Sequence, residues 1–271
     1  MNDFLYFFET MPIWMKAGWI FFTLGIFWLL EGYYSLFHLK YKKWKHAKTN
    51  LVLLLFVMII NAVFGITTAG VFMWLQESQI GLLHLFEAPV WVELIIAILI
   101  LDLIAQYGVH FLLHKVPLMW SLHIVHHTDK NVDASTGTRH HPIDFVIRES
   151  FALVAVVITG MPISFYFVYR ILSILFTYWT HANISLPIRL DKGLSFVIVT
   201  PNMHKFHHHF KLPWTDSNYG NMFSFWDRIF GTFVYGDLSK IQYGVDLADH
   251  TDDENIAVQL GIPFNKNVKS K

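Results

Sequence analysis

The chain of 271 residues contains no cysteine. That excludes disulfides, iron–sulfur clusters, thiolate-ligated haem and cysteine nucleophiles. It is also poor in charge, with 15% Asp, Glu, Lys and Arg where a soluble domain carries about 25%. Lys+Arg and Asp+Glu number 20 each, so no net charge draws the chain to nucleic acid or to an acidic partner. Apolar residues fill the gap: 54% of the chain is hydrophobic and 17% aromatic, too much apolar surface for a disordered chain. Against this background stand 16 histidines, more than half of them in three short runs.

The start, MNDFLYFFETMPIWMK, puts Asp3 and Glu9 where a signal peptide carries Lys or Arg, and it reads as retained. Three apolar stretches follow, roughly Ala17–Phe37, Leu51–Leu75 and Val90–Leu113. Each reaches the ~20 residues a helix needs to cross ~30 Å of hydrocarbon, and helix is the form that satisfies its own backbone there. A lysine loop, Lys40–Lys48, separates the first two stretches, whereas the connection to the third holds Glu77 and Glu87 and no Lys or Arg. The positive-inside rule then places the lysine loop in the cytoplasm and brings the end of the third span to that same face. The stretch Ser150–Ile188 has two readings: a single span, Ser150–Tyr169, or a helical hairpin turning at Gly160–Pro162. Beyond Thr200 the chain is polar, then acidic around Asp246–Glu254, and it ends in a lysine-rich tail. With no internal repeat or linker, residues 1–271 read as one membrane domain.

The first histidine run is His110-Phe-Leu-Leu-His114, the second His123-Ile-Val-His126-His127, and the third His204-Lys-Phe-His207-His208, followed by His209. Spacings of three and four residues put rings on one helix face. The eight imidazoles of the three patterns are too many for one metal and suit two, and imidazole serves iron, zinc, copper and nickel. His38, His46, His84 and His250 stand alone and read as ordinary surface or hydrogen-bonded residues.

HFLLH, HIVHH and HKFHH resemble the three histidine boxes of the fatty acid hydroxylase / sterol desaturase superfamily, a group of membrane di-iron oxygenases. Asp102 and Tyr107 resemble that family's run before the first box. Arg139-His140-His141-Pro142 resembles its R-x-H-P element, and His181-Ala182-Asn183 its H-[SA]-N element. Asn218-Tyr219-Gly220 and Trp226-Asp227-Arg228-Ile229-Phe230-Gly231-Thr232 resemble the runs after the third box. The catalytic core so defined is about 101–235. Gly108-Val109-His110-Phe111 lacks the Trp and Arg of many relatives, and Asp144 stands where Glu is usual.

The resemblance implies an all-α polytopic membrane protein with three long spans, a helical hairpin and a cytoplasmic histidine-rich cap. It implies two iron ions held by His110, His114, His123, His126, His127, His181, His204, His207 and His208, with no catalytic residue beyond the metal centre. If His181 is a ligand it shares the side of the boxes, which favours the hairpin. Asp102, Arg139, His141, His209, Asn218 and Asp227 are candidate supports around the ligands: Asp102 by bonding a histidine of another segment, Arg139 by pairing with a carboxylate, His141 and His209 also as substitute ligands. The implied reaction is O2-dependent hydroxylation or desaturation of a C–H bond in a membrane lipid such as a sterol or fatty acyl lipid. No GxGxxG fingerprint, flavin motif or CxxCH occurs, so an external reductase, ferredoxin or cytochrome is the expected electron donor. The short loops fit a bacterial inner membrane. The competing readings are a non-catalytic metal or haem carrier in the membrane and a scaffold descended from enzymes.

Overall fold

The computed structural model describes residues 1–265 and Val268; the lysines of the expected tail lie outside the described residues. Among the described residues helices dominate and no strand forms, only isolated bridges such as His209 to Tyr243. A short amphipathic helix α1 (Asn2–Thr10) precedes α2 (Ile13–Tyr33) and α3 (Lys43–Ser78). Then come α4 (Val90–Asp102), α5 (Val109–Lys115), α6 (Pro117–His127), α7 (Pro142–Thr159) and α8 (Ile163–His181). Four short helices complete the chain: α9 (Ile188–Leu194), α10 (Pro201–His207), α11 (Phe225–Ile229) and α12 (Ile256–Gly261).

Three segments, Ile13–Tyr33, Lys43–His84 and Val90–Lys115, are long and apolar enough to cross a membrane. Their outer faces carry Phe21, Phe22, Leu55, Ile59, Val63 and Ile66, all exposed. In water these would form an apolar patch far larger than a monomer tolerates; in lipid they are solvated. At 36 residues, α3 is ~54 Å long and outruns the hydrocarbon. The lysine stretch is only in part the expected loop: Lys40 and Lys42 precede the helix, and Lys43 to Lys48 form the first turns of α3. That end is anchored by polar bonds, with Asn50 donating to the Ser135 hydroxyl at 2.9 Å and accepting from Arg139 at 2.9 Å.

The stretch after residue 141 is two helices, α7 and α8, turning through Gly160 in left-handed conformation (φ 66°). A Cβ there would meet the Ile80 carbonyl oxygen at 2.1 Å, because the turn of Gly81 packs directly against it. Only glycine fits both the dihedral and the approach. α4 packs against α7 and α8, and the core of the bundle is built from Leu101, Ala105, Ala155, Met161, Phe165 and Tyr169. Arg139 and His181 both bond His126, so the chain leaves the histidines before α7 and returns to them at the end of α8.

Between α4 and α5 the helix widens into a π segment, Leu103–Gly108. Such bulges rotate everything downstream relative to a regular helix and recur at functional sites. Here the rotation is inserted just ahead of His110, and Gly108 lies so close to the Leu103 carbonyl that a Cβ would sit 3.0 Å from it.

Candidate metal centre

Two histidine-bearing helices begin with proline at their first position, α6 at Pro117 and α10 at Pro201, and so does α7, which carries Asp144, at Pro142. Proline is pre-set for that position and its missing N–H costs nothing there. Thr200 caps α10 by accepting from Met203 N at 3.3 Å. The starts are thus fixed, and with them the direction of each ring.

Two groups of rings result. His110, His114, His123, His127 and His207 form the first; His126, His181, His204 and His208 form the second; within each, one ring nitrogen per residue lies within 4.8 Å of the others. All nine expected ligands fall in these two groups. The second and third boxes each contribute to both. His123 and His127, four apart, share the first group while His126, ~100° away round α6, faces the second. His204 and His208, also four apart, enter the second group while His207 turns to the first. The groups adjoin: the rings of His127 and His208 stack with centroids 4.9 Å apart.

The protonation of these rings follows from their other contacts. The Nδ1–H of His110 donates to the Tyr219 carbonyl at 2.8 Å, that of His207 to Ser217 at 2.7 Å, that of His126 to Arg139 at 3.2 Å and that of His181 to Thr177 at 2.7 Å. A carbonyl can only accept, so each Nδ1 carries the proton and each neutral ring turns a bare Nε2 inward. His123 donates likewise to Asp144 at 3.1 Å and His114 to Asp216 at 3.2 Å. Yet Nε2 of His110 lies 3.1 Å from Nε2 of His123, and Nε2 of His126 lies 3.1 Å from Nε2 of His181. Two lone pairs facing at that distance repel unless a cation stands between them. Ligands ~2.1 Å from one ion at bond angles between square and tetrahedral would be about 3.0–3.4 Å apart, which fits the spacing.

Protonating the rings is not an alternative. Burial pushes His123 down from 6.5 to about 4, with Asp144 opposing, and pushes His126, His127, His204 and His208 well below their ordinary value. Neighbouring histidines push the last four in the same direction. Both ring nitrogens of His208 are buried without a hydrogen-bond partner among the described residues. The donor set, all nitrogen in two groups, suits a borderline transition metal such as iron and is unlike a thiolate or carboxylate cage.

The candidate supports divide differently from the expectation. Asp102 bonds no histidine: it accepts from Trp226 Nε1 at 3.0 Å and Phe223 N at 3.3 Å. The π segment lies between it and His110, and it reaches sideways to the loop instead. Arg139 is fully buried, but its guanidinium donates to the Val125 and Asp253 carbonyls, Asn50 and Thr128, not to a carboxylate; its backbone carbonyl is what supports His126. His141 caps α7 by accepting from Ile143 N at 3.2 Å, and His209 bonds the Lys240 carbonyl at 3.1 Å, so neither joins a group. Both lie past the turn that would aim a ring inward.

Asn218 and Asp227 act one step further out. Asp227 accepts from Tyr219 N at 2.7 Å, Gly220 N at 3.0 Å and the Thr232 hydroxyl at 2.7 Å. Asn218 donates to the Met203 and Val234 carbonyls, each at 2.8 Å. Together they fix the loop whose Ser217 and Tyr219 carbonyls hold His207 and His110. Sequence reasoning did not find Asp216 beside His114, although it lies just before the Asn218-Tyr219-Gly220 run. It also passed over Lys205, fully buried, whose side-chain nitrogen bonds the His181 carbonyl. His140, an extra histidine within the Arg139–Pro142 run, stacks on His126 at 5.0 Å and 9° and lies close enough to Asp144 and His123 to form a third, overlapping group. His46, read as ordinary, is buried between Asp129 at 2.7 Å and Asp133 at 3.4 Å.

Comparison with known proteins gives this geometry its context. A human (Homo sapiens) alkylglycerol monooxygenase is 30% identical over 139 residues, 51% of this chain and 30% of that protein. An ornithine lipid hydroxylase of Rhizobium tropici is 26% identical over 133 residues, 48% of this chain and 39% of that protein. Methylsterol monooxygenase 2-2 of Arabidopsis thaliana is 29% identical over 157 residues, 56% and 58% of the two chains. The alignments thus cover less than two thirds of these relatives. No solved structure matches. The profile of the fatty acid hydroxylase family matches residues 94–232, a segment that contains the π bulge, all nine inward-facing histidines and the loop that braces them, and the chain belongs to that family.

Proposed function

We propose that this protein is a membrane di-iron oxidoreductase that hydroxylates a C–H bond of a membrane lipid, a sterol, fatty acyl or related lipid, using O2. The observation that carries the reading is the pairing of bare Nε2 atoms, His110 against His123 and His126 against His181, each at 3.1 Å. A cation between the members of each pair would relieve that repulsion, and two groups would take two. When bound, a pair of iron ions supplies the redox chemistry that activates O2, as cofactors generally carry the hard step. The chain's own residues do the rest. His110, His114, His123, His127 and His207 would hold one ion, His126, His181, His204 and His208 the other.

Asp144 and Asp216 orient His123 and His114 and make them stronger donors, as carboxylate partners do at metal sites. The carbonyls of Tyr219, Ser217, Arg139 and Thr177 fix the tautomers of four more rings. Burial excludes water and keeps His123, His126, His127, His204 and His208 neutral, the form that binds metal. The fatty acid hydroxylase family, with relatives named for oxidising an alkylglycerol, an ornithine lipid and a methylsterol, supports a lipid substrate. The positive-inside rule applied to the lysines at the start of α3 supports a cytoplasmic position for the histidines, where a separate donor protein would deliver electrons. Hydroxylation is the more general outcome of hydrogen abstraction in this family; desaturation is the other.

Metal analysis of the purified protein tests the reading: about two irons per chain are expected, and one zinc or one haem per chain would overturn it. Lipid extracts of cells with and without the gene should differ by the gain of one oxygen or the loss of two hydrogens in one lipid class. That difference should vanish in His126→Ala.

A further inference from the structure

His140, stacked on His126, borders a cleft of about 130 Å³ that runs between α2, α3, α7 and α8. At one end stand His140, whose Nδ1 lies 3.3 Å from Asp144, and Arg148, whose Nε donates to Asp144 at 3.1 Å. The walls further in are apolar, with Leu54, Val57, Ala152 and Ile174. At the other end the lining turns polar again. Arg170 donates to Glu149 at 2.6 Å and to Asn61 at 3.3 Å. Gln106, donating to Ser173 at 2.9 Å, lies beside them. The Tyr169 hydroxyl is buried on the same wall, beside Gln106 and Ser173.

Helix geometry sets the scale. Arg170 precedes His181 by eleven positions on α8, and Asn61 follows Asn50, the partner of Arg139, by eleven on α3; each interval is ~16 Å. Glu149 follows Asp144 by five positions on α7, ~8 Å. The polar end therefore stands ~8–16 Å from the histidines, within the helical bundle.

An ion pair in such a place is expensive, and apolar residues would hold helices together as well or better. This one joins α7 to α8, where the Tyr166 hydroxyl also donates to Glu149 at 3.5 Å, at the edge of the cleft. It lines open space, with the Arg170 side chain 25% exposed against 6% for Glu149. The two charges cancel. An anionic ligand would meet the Glu149 carboxylate and a cationic one the guanidinium, whereas a hydroxyl both donates and accepts. It can give its proton to Glu149 or Asn61 and receive one from Tyr169 or Gln106.

We propose that Glu149, Arg170 and Asn61 form a polar subsite for an uncharged hydroxyl-bearing lipid, held with that hydroxyl ~8–16 Å from the carbon presented at His140. The assignment rests on the lipid-oxidation reading for the reacting end of the ligand; the polar subsite itself is read from the cleft.

Equilibrium binding of radiolabelled hexadecanol, hexadecane and hexadecanoate to the full-length, iron-loaded protein in detergent tests it. Hexadecanol should bind at least about tenfold more tightly than either of the others, the scale of a hydrogen bond to a buried charged group. Glu149→Met/Arg170→Met removes both charges together, so that none is left unpaired, and should reduce hexadecanol to the affinity of hexadecane with iron content unchanged. Asn61→Leu, a milder change in case the double variant fails to fold, should remove about threefold of the preference. Equal binding of alcohol and alkane by the unaltered protein, tighter binding of the carboxylate, or an undiminished preference in the variants would each overturn the subsite. Binding is read without turnover. A protein that prefers hexadecanol but oxidises no lipid contradicts the enzymatic reading alone, and one that oxidises lipid without the preference contradicts the subsite alone.

Discussion

The two histidine groups look alike in the sequence and are supported differently in space. The first has five rings, and two of them, His123 and His114, lean on the carboxylates of Asp144 and Asp216. The second has four rings, and its supports are backbone carbonyls, Arg139 for His126 and Thr177 for His181, with the Lys205 side-chain nitrogen placed on the carbonyl of His181 itself. A carboxylate partner raises the basicity of an imidazole more than a carbonyl does. Were both groups to hold metal, more and stronger donors would make the first the tighter site, and fewer and weaker ones would leave the second with room for an exchangeable ligand.

The largest test of that contrast is His126→Ala. It should lower bound iron from about two per chain to about one and lower lipid oxidation at least ~100-fold, the scale for loss of a metal-site partner. If both irons left together, the two groups would have to be treated as one. Asp144→Asn should weaken retention of the first metal by ~10–100-fold, read by chelator competition, while the equivalent loss at the second group stays small. Equal loosening of both metals would erase the distinction.

Acid provides a third test, on the metal-free protein. An unfolded chain protonates His123 near 6.5, whereas the folded chain holds it neutral to about 4. Between those values the unfolded state binds more protons, so stability is full above 6.5 and falls as pH drops towards 4. The slope is about 1.4 kcal/mol per pH unit for each such ring. Thermal midpoints of the chelated protein should therefore fall steeply from pH 7 to pH 5, and a flat profile would contradict neutral buried rings. The smallest effect is expected from Asp102→Asn, which weakens the contact with Trp226 and Phe223 and should cost about 1–2 kcal/mol of stability with iron content unchanged; a loss of iron would tie Asp102 to the metal groups after all.

Much of the site was legible because its residues are chemically conspicuous. His110 and His114, or His123 and His127, advertise themselves by type and by spacing on a helix. Long apolar runs announce spans for the same reason: length and composition suffice. Asp216 and Lys205 were not legible, since an aspartate or lysine in a polar segment is ordinarily solvated, and only their contacts with His114 and the His181 carbonyl distinguish them. Asp102 misled because an ionisable residue within a span signals some partner without naming it. The π segment turned it towards Trp226, and nothing in the local sequence LDLIAQYG counts the extra residue in that turn.

The amino-acid order determined that this chain would be helical, apolar on the outside and rich in co-facing imidazoles, because periodicity and side-chain chemistry are local properties. Which nitrogen of each ring carries the proton, how adjacent His126 and His127 part company, and which carboxylate stands behind which histidine were decided by tertiary structure. Those outcomes depend on carbonyls and side chains brought from elsewhere in the chain, at Asp144, Asp216 and Tyr219, and a hydrogen bond exists only once both of its partners are in place.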